Sequence, residues 1–206
     1  STKHVIIGTY NMLFIAGLLL AERKFSFHQN VKNAFSFWGI LAMFVYLVYY
    51  HEEVVSARDG YLFYAESAAG FIFHYMLIAL LIVIAILSLP KIQSLTEFNQ
   101  KTFNLYSWFY VFSFVFLASA ELDHTVLLIG GATLDSMGHI LTQNHKIGYP
   151  ILWGLTSFTL IAIGLKTKKK HLRIMSLTLF LVTLIKLFAV DIKGISEGGK
   201  IAAFIS

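Results

Sequence analysis

The sequence predicts an all-α protein, a polytopic transmembrane helix bundle of six crossings plus the start of a seventh. Three observations lead there. The 206 residues are 57% hydrophobic and only 13% charged, with a mean hydropathy of +0.72, a balance that leaves too few charges to cover a soluble core. The apolar residues fall into runs of the length needed to cross a bilayer, roughly 20 residues each. The charges are gathered between those runs. Open sheets would leave edges unpaired in lipid, and no alternating pattern of a membrane barrel occurs, so helices are the remaining solution.

The first crossing runs from His4 to Ala21 and is stopped by Glu22-Arg23-Lys24; no small-residue cleavage site precedes these charges, so it reads as a retained helix rather than a secretory signal. The second runs from Ala34 to Tyr50 and is expected to stop at His51-Glu52-Glu53. The third spans 68–89 and is closed by Pro90. The fourth covers 103–120 and is expected to end at Glu121-Leu122-Asp123-His124. The fifth covers 147–165, with Pro150 in its first turn, where a missing N–H costs little. The sixth covers 172–190, and a further apolar start lies at 199–206, as in a chain that is part of a longer one. All of it reads as one transmembrane helical domain over residues 1–206.

Charge sets the expected orientation. The loops after the first, third and fifth crossings hold ten basic residues (Arg23, Lys24, Lys32, Lys91, Lys101, Lys166, Lys168, Lys169, Lys170, Arg173) against two acids, Glu22 and Glu97. The opposite loops hold five basic residues (Lys3, Arg58, Lys146, Lys193, Lys200). They also hold nine acids: Glu52, Glu53, Asp59, Glu66, Glu121, Asp123, Asp135, Asp191 and Glu197. The two sides are therefore +8 and −4, and Lys186 inside the bilayer completes the formal +5. The positive-inside rule makes the basic side cytoplasmic and places the N-terminus outside, in the periplasm of a bacterial inner membrane. The cluster Lys166, Lys168, Lys169, Lys170 and Arg173 is thus a topology signal beside anionic lipid, and nucleic acid is not an expected partner. Expected partners are membrane lipid and other membrane-protein subunits.

Chemistry-bearing residues collect toward the outer side. Glu66, His74, Glu121, Lys186 and Asp191 lie in or near the outer leaflet, where ionisable groups are costly and usually face the bundle or a wet cavity. Lys186 is expected to point inward and pair with an acid, Glu121 ahead of Asp191, the competing reading being a snorkelling stem. The segment 121–146 is expected to be the longest outer loop, with a short interfacial helix near 134–141 that puts Asp135 and His139 on one face. Asp135, His139 and His145 form a weak metal-ligand set; no His-Glu-x-x-His pattern supports it, and no metal or other cofactor is expected. With no cysteine, thiolate chemistry and Cys-ligated metal are excluded. If the chain were an enzyme, Glu121, His124 and His139 would be its candidate catalytic groups, with Ser119 or Ser136 as a conceivable nucleophile, but no Gly-x-Ser-x-Gly elbow is present. Gly130-Gly131 and Gly198-Gly199 lack the context of a phosphate loop. Tyr46, Tyr49 and Tyr50 read as an interfacial aromatic belt.

The C-terminal third also carries a resemblance. Ile151-Leu-Trp-Gly-Leu155, the turn Lys168-Lys-Lys-His-Leu-Arg173, Leu184-Ile-Lys-Leu-Phe-Ala-Val-Asp191 and Ile195-Ser-Glu-Gly-Gly-Lys-Ile-Ala-Ala-Phe204 resemble a bacterial family of predicted polytopic membrane proteins, domain of unknown function 2339, in its Bacteroidota-like form. Ala118-Ser-Ala-Glu-Leu122 resembles the segment preceding these in that family. The resemblance implies a bacterial inner membrane and a longer chain with more crossings, and it brings no known activity or catalytic residue. The leading functional expectation is non-enzymatic: a transport-related protein, or a subunit or scaffold of a larger membrane assembly. The alternative is a membrane-embedded enzyme acting on a lipid-linked or cell-envelope substrate at the periplasmic face.

Overall fold

The computed structural model describes residues 2–95 and 100–189, and among these the chain is all-helical. The helices are α1 (Thr2–Lys24), α2 (Gln29–Val45), α3 (His51–Phe63), α4 (Ala69–Leu95), α5 (Gln100–Ile129), α6 (Leu134–Gln143), α7 (Tyr149–Lys166) and α8 (Lys170–Ala189). A five-residue π-helical turn, Tyr46–Tyr50, joins α2 to α3, and a second, Asn144–Gly148, joins α6 to α7. Among the described residues, with the joined helices counted as single rods, six helices are long and apolar enough to cross a membrane. The apolar start at 199–206 and Asp191 lie outside the described residues.

Two expected stops are not stops. The second rod continues through His51-Glu52-Glu53 to Phe63, since Glu53 finds a partner in His4 on α1. Likewise α5 continues through Glu121, Asp123 and His124 to Ile129, because Asp123 is engaged by side chains of the following rod. The expected long outer loop is consequently helical except for Gly130–Thr133. Gly131 takes the left-handed conformation there (φ 56°), and Thr133 caps α6 by accepting from the Ser136 N–H. The α6–α7 rod covers 33 residues, about 50 Å at 1.5 Å per residue, which exceeds a hydrocarbon core of about 30 Å.

The chain forms two compact units, Ser1–Ser113 and Phe114–Ser206, with the boundary inside α5. In the first, α1 packs on α4 and α2, and α3 packs on α4. Helix α4 is apolar all round, so its sequence does not announce a core face. The structure chooses one: Phe71, His74, Leu77, Leu81, Ile84 and Ser88 are buried at spacings of three and four, while Ile72, Tyr75, Ile82 and Ile86 remain exposed. A matching stripe of Val5, Met12, Ala16 and Leu19 is buried on α1. Small residues set the closeness of approach, as usual between helices in lipid. A Cβ on Gly8 would lie 2.7 Å from the Tyr50 ring. Ser88 Oγ donates to the Ile84 carbonyl (2.6 Å) and accepts from the Tyr110 hydroxyl (2.6 Å), tying α4 to the first half of α5.

In the second unit α7 and α8 form a hairpin. Its centre is a reciprocal clasp: Ser157 Oγ donates to the Ser176 carbonyl (2.8 Å) and Ser176 Oγ to the Ser157 carbonyl (2.7 Å). The basic turn between the helices closes through Thr167 N–H to Ile163 O and Lys169 N–H to Gly164 O, with Lys168 in the left-handed region (φ 56°). Trp153 Nε1 donates to Ser119 Oγ (3.0 Å), fastening α7 to α5.

Candidate functional site

Among the described residues of the second unit, a dense polar cluster is built on Asp123. Its Oδ1 accepts from Asn144 Nδ2 at 2.7 Å, and its Oδ2 accepts from the Tyr149 hydroxyl at 2.7 Å and from His145 Nε2 at 3.0 Å. The His145 and Tyr149 rings are in contact, with centroids 4.5 Å apart. Asn144 is buried, and the side chain of Asp123 is 18% exposed against 45% for His145. From α8, Lys186 Nζ donates to the backbone carbonyl of His145 at 2.5 Å. All these groups belong to helices that qualify as membrane spans.

Local sequence explains this geometry. Within the π-helical turn the Tyr149 N–H bonds to the Asn144 carbonyl, five residues back. In the same register the carbonyl of His145 would accept from residue 150, but residue 150 is proline and has no N–H. The Lys186 ammonium supplies that missing donor. One proline thus loosens the ladder, and a lysine from the neighbouring helix replaces the lost bond with a charge-assisted one. The same turn brings Asn144, His145 and Tyr149 onto one carboxylate. π-helical turns of this kind are frequent at functional sites.

Glu121 and His124 lie one helical turn apart on α5, with Oε1 and Nε2 3.9 Å apart and His124 buried. Asp135 and His139 are both exposed on α6, whereas His145 is held by Asp123, so the expected metal set is divided between an exposed helix surface and the π-helical turn. Ser119 and Ser136 both serve structure: Ser119 Oγ donates to the Val115 carbonyl and accepts from Trp153, and Ser136 closes the α6 cap. Lys166, Lys168, Lys169 and Lys170 are exposed at the opposite end of α7 and α8 from Asp123, with Arg173 half-buried one turn on. The stretch from Tyr149 to Lys166 is about 25 Å long by helical rise.

In the first unit, His74 is buried, donates from Nδ1 to the Phe71 carbonyl and packs between the Phe71 and Tyr75 rings. Glu66 is exposed; it follows Ala65, which is left-handed (φ 53°), and its N–H bonds to the Gly60 carbonyl at 3.0 Å, closing the end of α3. Glu66 lines an acidic hollow of about 390 Å³ with Glu52, Asp59 and Tyr64. A second cluster joins His4 Nδ1 to Glu53 Oε1 at 2.7 Å, with the Tyr49 hydroxyl 3.4 Å from the same nitrogen. Tyr46 and Tyr50 are not belt residues: the first π-helical turn buries both, and Asn11 Nδ2 donates to the Tyr50 hydroxyl at 3.0 Å. Beside this bond an apolar groove of about 440 Å³ runs between α1 and α2, lined by Met12, Ile15, Leu18, Trp38 and Leu41 among others.

Sequence reasoning missed the pairing of His4 with Glu53 and the assembly of Asp123, Asn144, His145 and Tyr149. It treated Asp123 as a helix stop and Pro150 as a helix start. The available signal was the spacing of Asn144-His145 to Pro150, which leaves a carbonyl without a backbone donor inside an apolar run.

Residues 1–206 match the model of the DUF2339 family, described as a predicted membrane protein. No curated protein and no solved structure matches the chain. The chain belongs to the DUF2339 family and is a membrane protein whose described residues include six helices able to span a bilayer.

Proposed function

We propose that this member of the family is a transport-related protein of the bacterial inner membrane, working through the Asp123 cluster, with its N-terminus periplasmic and the Lys166–Arg173 turn cytoplasmic. The observation that carries the reading is Asp123 itself: a carboxylate inside spanning helices, held by three donors, with the ammonium of Lys186 on the backbone of one of them. Ionisable groups in spanning segments are costly and are by default a functional-site hypothesis. The discontinuity that gathers them, a helix with its ladder interrupted, is also the device by which membrane transporters line a binding site. The basic residues at the far end of α7 and α8 support the orientation.

Two experiments test this. The chain has no cysteine, so single substitutions Lys169→Cys and Gln143→Cys can be labelled with an impermeant thiol reagent in intact cells. The orientation requires labelling at 143 only; labelling at 169 only reverses it. For transport, vesicles of defined sidedness carrying the wild-type protein or Asp123→Asn are energised and their trapped solutes profiled by mass spectrometry. A solute accumulated by the wild type and lost in Asp123→Asn supports the reading. Unchanged profiles sink it in favour of a subunit or scaffold role.

The enzyme alternative has one observation in its favour, the orientation of His145 by Asp123, an arrangement seen where a histidine acts as general base. It would show in the same vesicles as a chemically altered envelope lipid rather than a moved solute.

A further inference from the structure

We infer that the groove between α1 and α2 binds a neutral, single-chained lipid bearing a carbonyl, of the class of a prenylated quinone or a fatty ester, with Asn11 and Tyr50 holding the carbonyl oxygen. The inference concerns the first unit alone and does not rest on the transport reading. The groove has a volume of about 440 Å³, inside the range of about 300–1,000 Å³ usual for small-molecule sites. Its lining holds three residues with polar side-chain atoms, Asn11, Trp38 and Tyr50, and none with a charge, so an ionic headgroup would be buried there without a partner. From Trp38 to Tyr50 the α2 wall runs about 18 Å at 1.5 Å per residue. Spread along that length, the volume makes a channel roughly 5–6 Å wide, enough for one hydrocarbon chain and too narrow for a helix about 10–12 Å in diameter.

Local structure builds the polar end. The π-helical turn carries Tyr50 toward α1, and Gly8 leaves room for its ring, since a Cβ there would lie 2.7 Å from it. With the ring fixed, its hydroxyl accepts from Asn11 Nδ2 at 3.0 Å. That bond uses one amide hydrogen; the second, and the hydroxyl's own, are left to donate, and among the described residues neither meets an acceptor. Asn11 is exposed near the middle of the span Thr2–Glu22, about 14 Å from its start by helical rise. At that depth no water serves an amide. Two donors at one end of an apolar channel therefore fit a carbonyl oxygen delivered from the lipid itself. Entry is sideways, past Phe14 and Trp38, which are 59% and 49% exposed.

The test is photolabelling of the full chain in liposomes with a benzoquinone whose alkyl tail carries a diazirine, the labelled positions being mapped by mass spectrometry. Label should concentrate in residues 11–18 and 38–45, saturate with probe concentration and be displaced by unlabelled quinone. Methyl palmitate as a second competitor separates the two sources: displacement by the ester makes the carbonyl alone the recognised group, and displacement by quinone only makes it the quinone ring. Asn11→Leu, at an outward-facing position, should raise the half-labelling concentration about tenfold, the worth of one hydrogen bond. Tyr50→Phe, which keeps the packed ring, should do the same. Hexadecane displacing the probe as well as quinone does, or unchanged labelling in both variants, overturns the carbonyl site. Label spread evenly over the lipid-facing helices of the wild type overturns the groove as a site, with no variant needed. A wild-type dimer that leaves the groove unlabelled and dissociates in Asn11→Leu gives this face to a second copy and overturns the proposal as well.

Discussion

The two units each interrupt a long helix with a five-residue π-helical turn, and they use the interruption for opposite ends. In the first unit the turn rotates Tyr46 and Tyr50 into the apolar core, where Tyr50 meets Gly8 and Asn11. Its polar pair, His4 with Glu53, links α1 to α3 with the histidine side chain 45% exposed. In the second unit the turn rotates Asn144 and His145 onto a carboxylate of another helix. The difference lies in the residues just beyond each turn. Both turns close alike, with the His51 N–H on the Tyr46 carbonyl and the Tyr149 N–H on the Asn144 carbonyl. The next residue is Glu52 in the first unit, which has an N–H for the ladder, and Pro150 in the second, which has none, and there a charged side chain takes over. A backbone irregularity thus becomes a packing device or a polar site depending on whether its carbonyls are satisfied from within.

That comparison can be broken most forcefully at Asp123. Replacing it with Ala strands three donors at once and should destabilise the protein by about 3–5 kcal/mol, by analogy with removal of one partner from a buried pair. Thermal unfolding in detergent measures it; a loss below about 1 kcal/mol would mean the cluster is solvated and the contrast between the units illusory.

Lys186→Met should cost about 1.5–3 kcal/mol, the value of a hydrogen bond with one charged partner. Pro150→Ala sharpens the point. It restores a backbone N–H able to serve the His145 carbonyl, so Lys186→Met should cost markedly less in that background. Equal losses in both backgrounds would show that Lys186 is not the substitute donor. A parallel cycle with Glu121→Gln reads whether Lys186 is also coupled to that acid, the pairing expected from sequence.

In the first unit, Gly8→Ala should lose about 1–2 kcal/mol because its methyl collides with the Tyr50 ring. Gly17 has nothing within 4 Å of its would-be Cβ, so Gly17→Ala should gain about 0.5–1 kcal/mol of helix propensity. Equal effects at both glycines would argue against close packing of α1 on the Tyr50 turn. The smallest effect is expected at His4→Ala, about 0.2–1 kcal/mol, since this pair is substantially exposed. A loss as large as that of Asp123→Ala would make the two polar pairs equivalent.

Sequence by itself determined that the chain is helical and built for a membrane. Backbone groups in lipid must be satisfied internally, and only long apolar helices do this for a chain of such composition. It also determined the segregation of basic residues to alternate loops, because charge is written directly in the residues. Tertiary structure alone decided which stripe of α4 is core, since Ile72 and Leu77 are equally apolar and only packing distinguishes them. It alone decided that Asp123 and Glu53 lie within helices rather than at their ends, because a charge stops a helix or not according to a partner many residues away. And it alone joined Lys186 to the carbonyl that Pro150 leaves unserved, two facts 36 positions apart in the sequence that become one bond only when α7 and α8 pack.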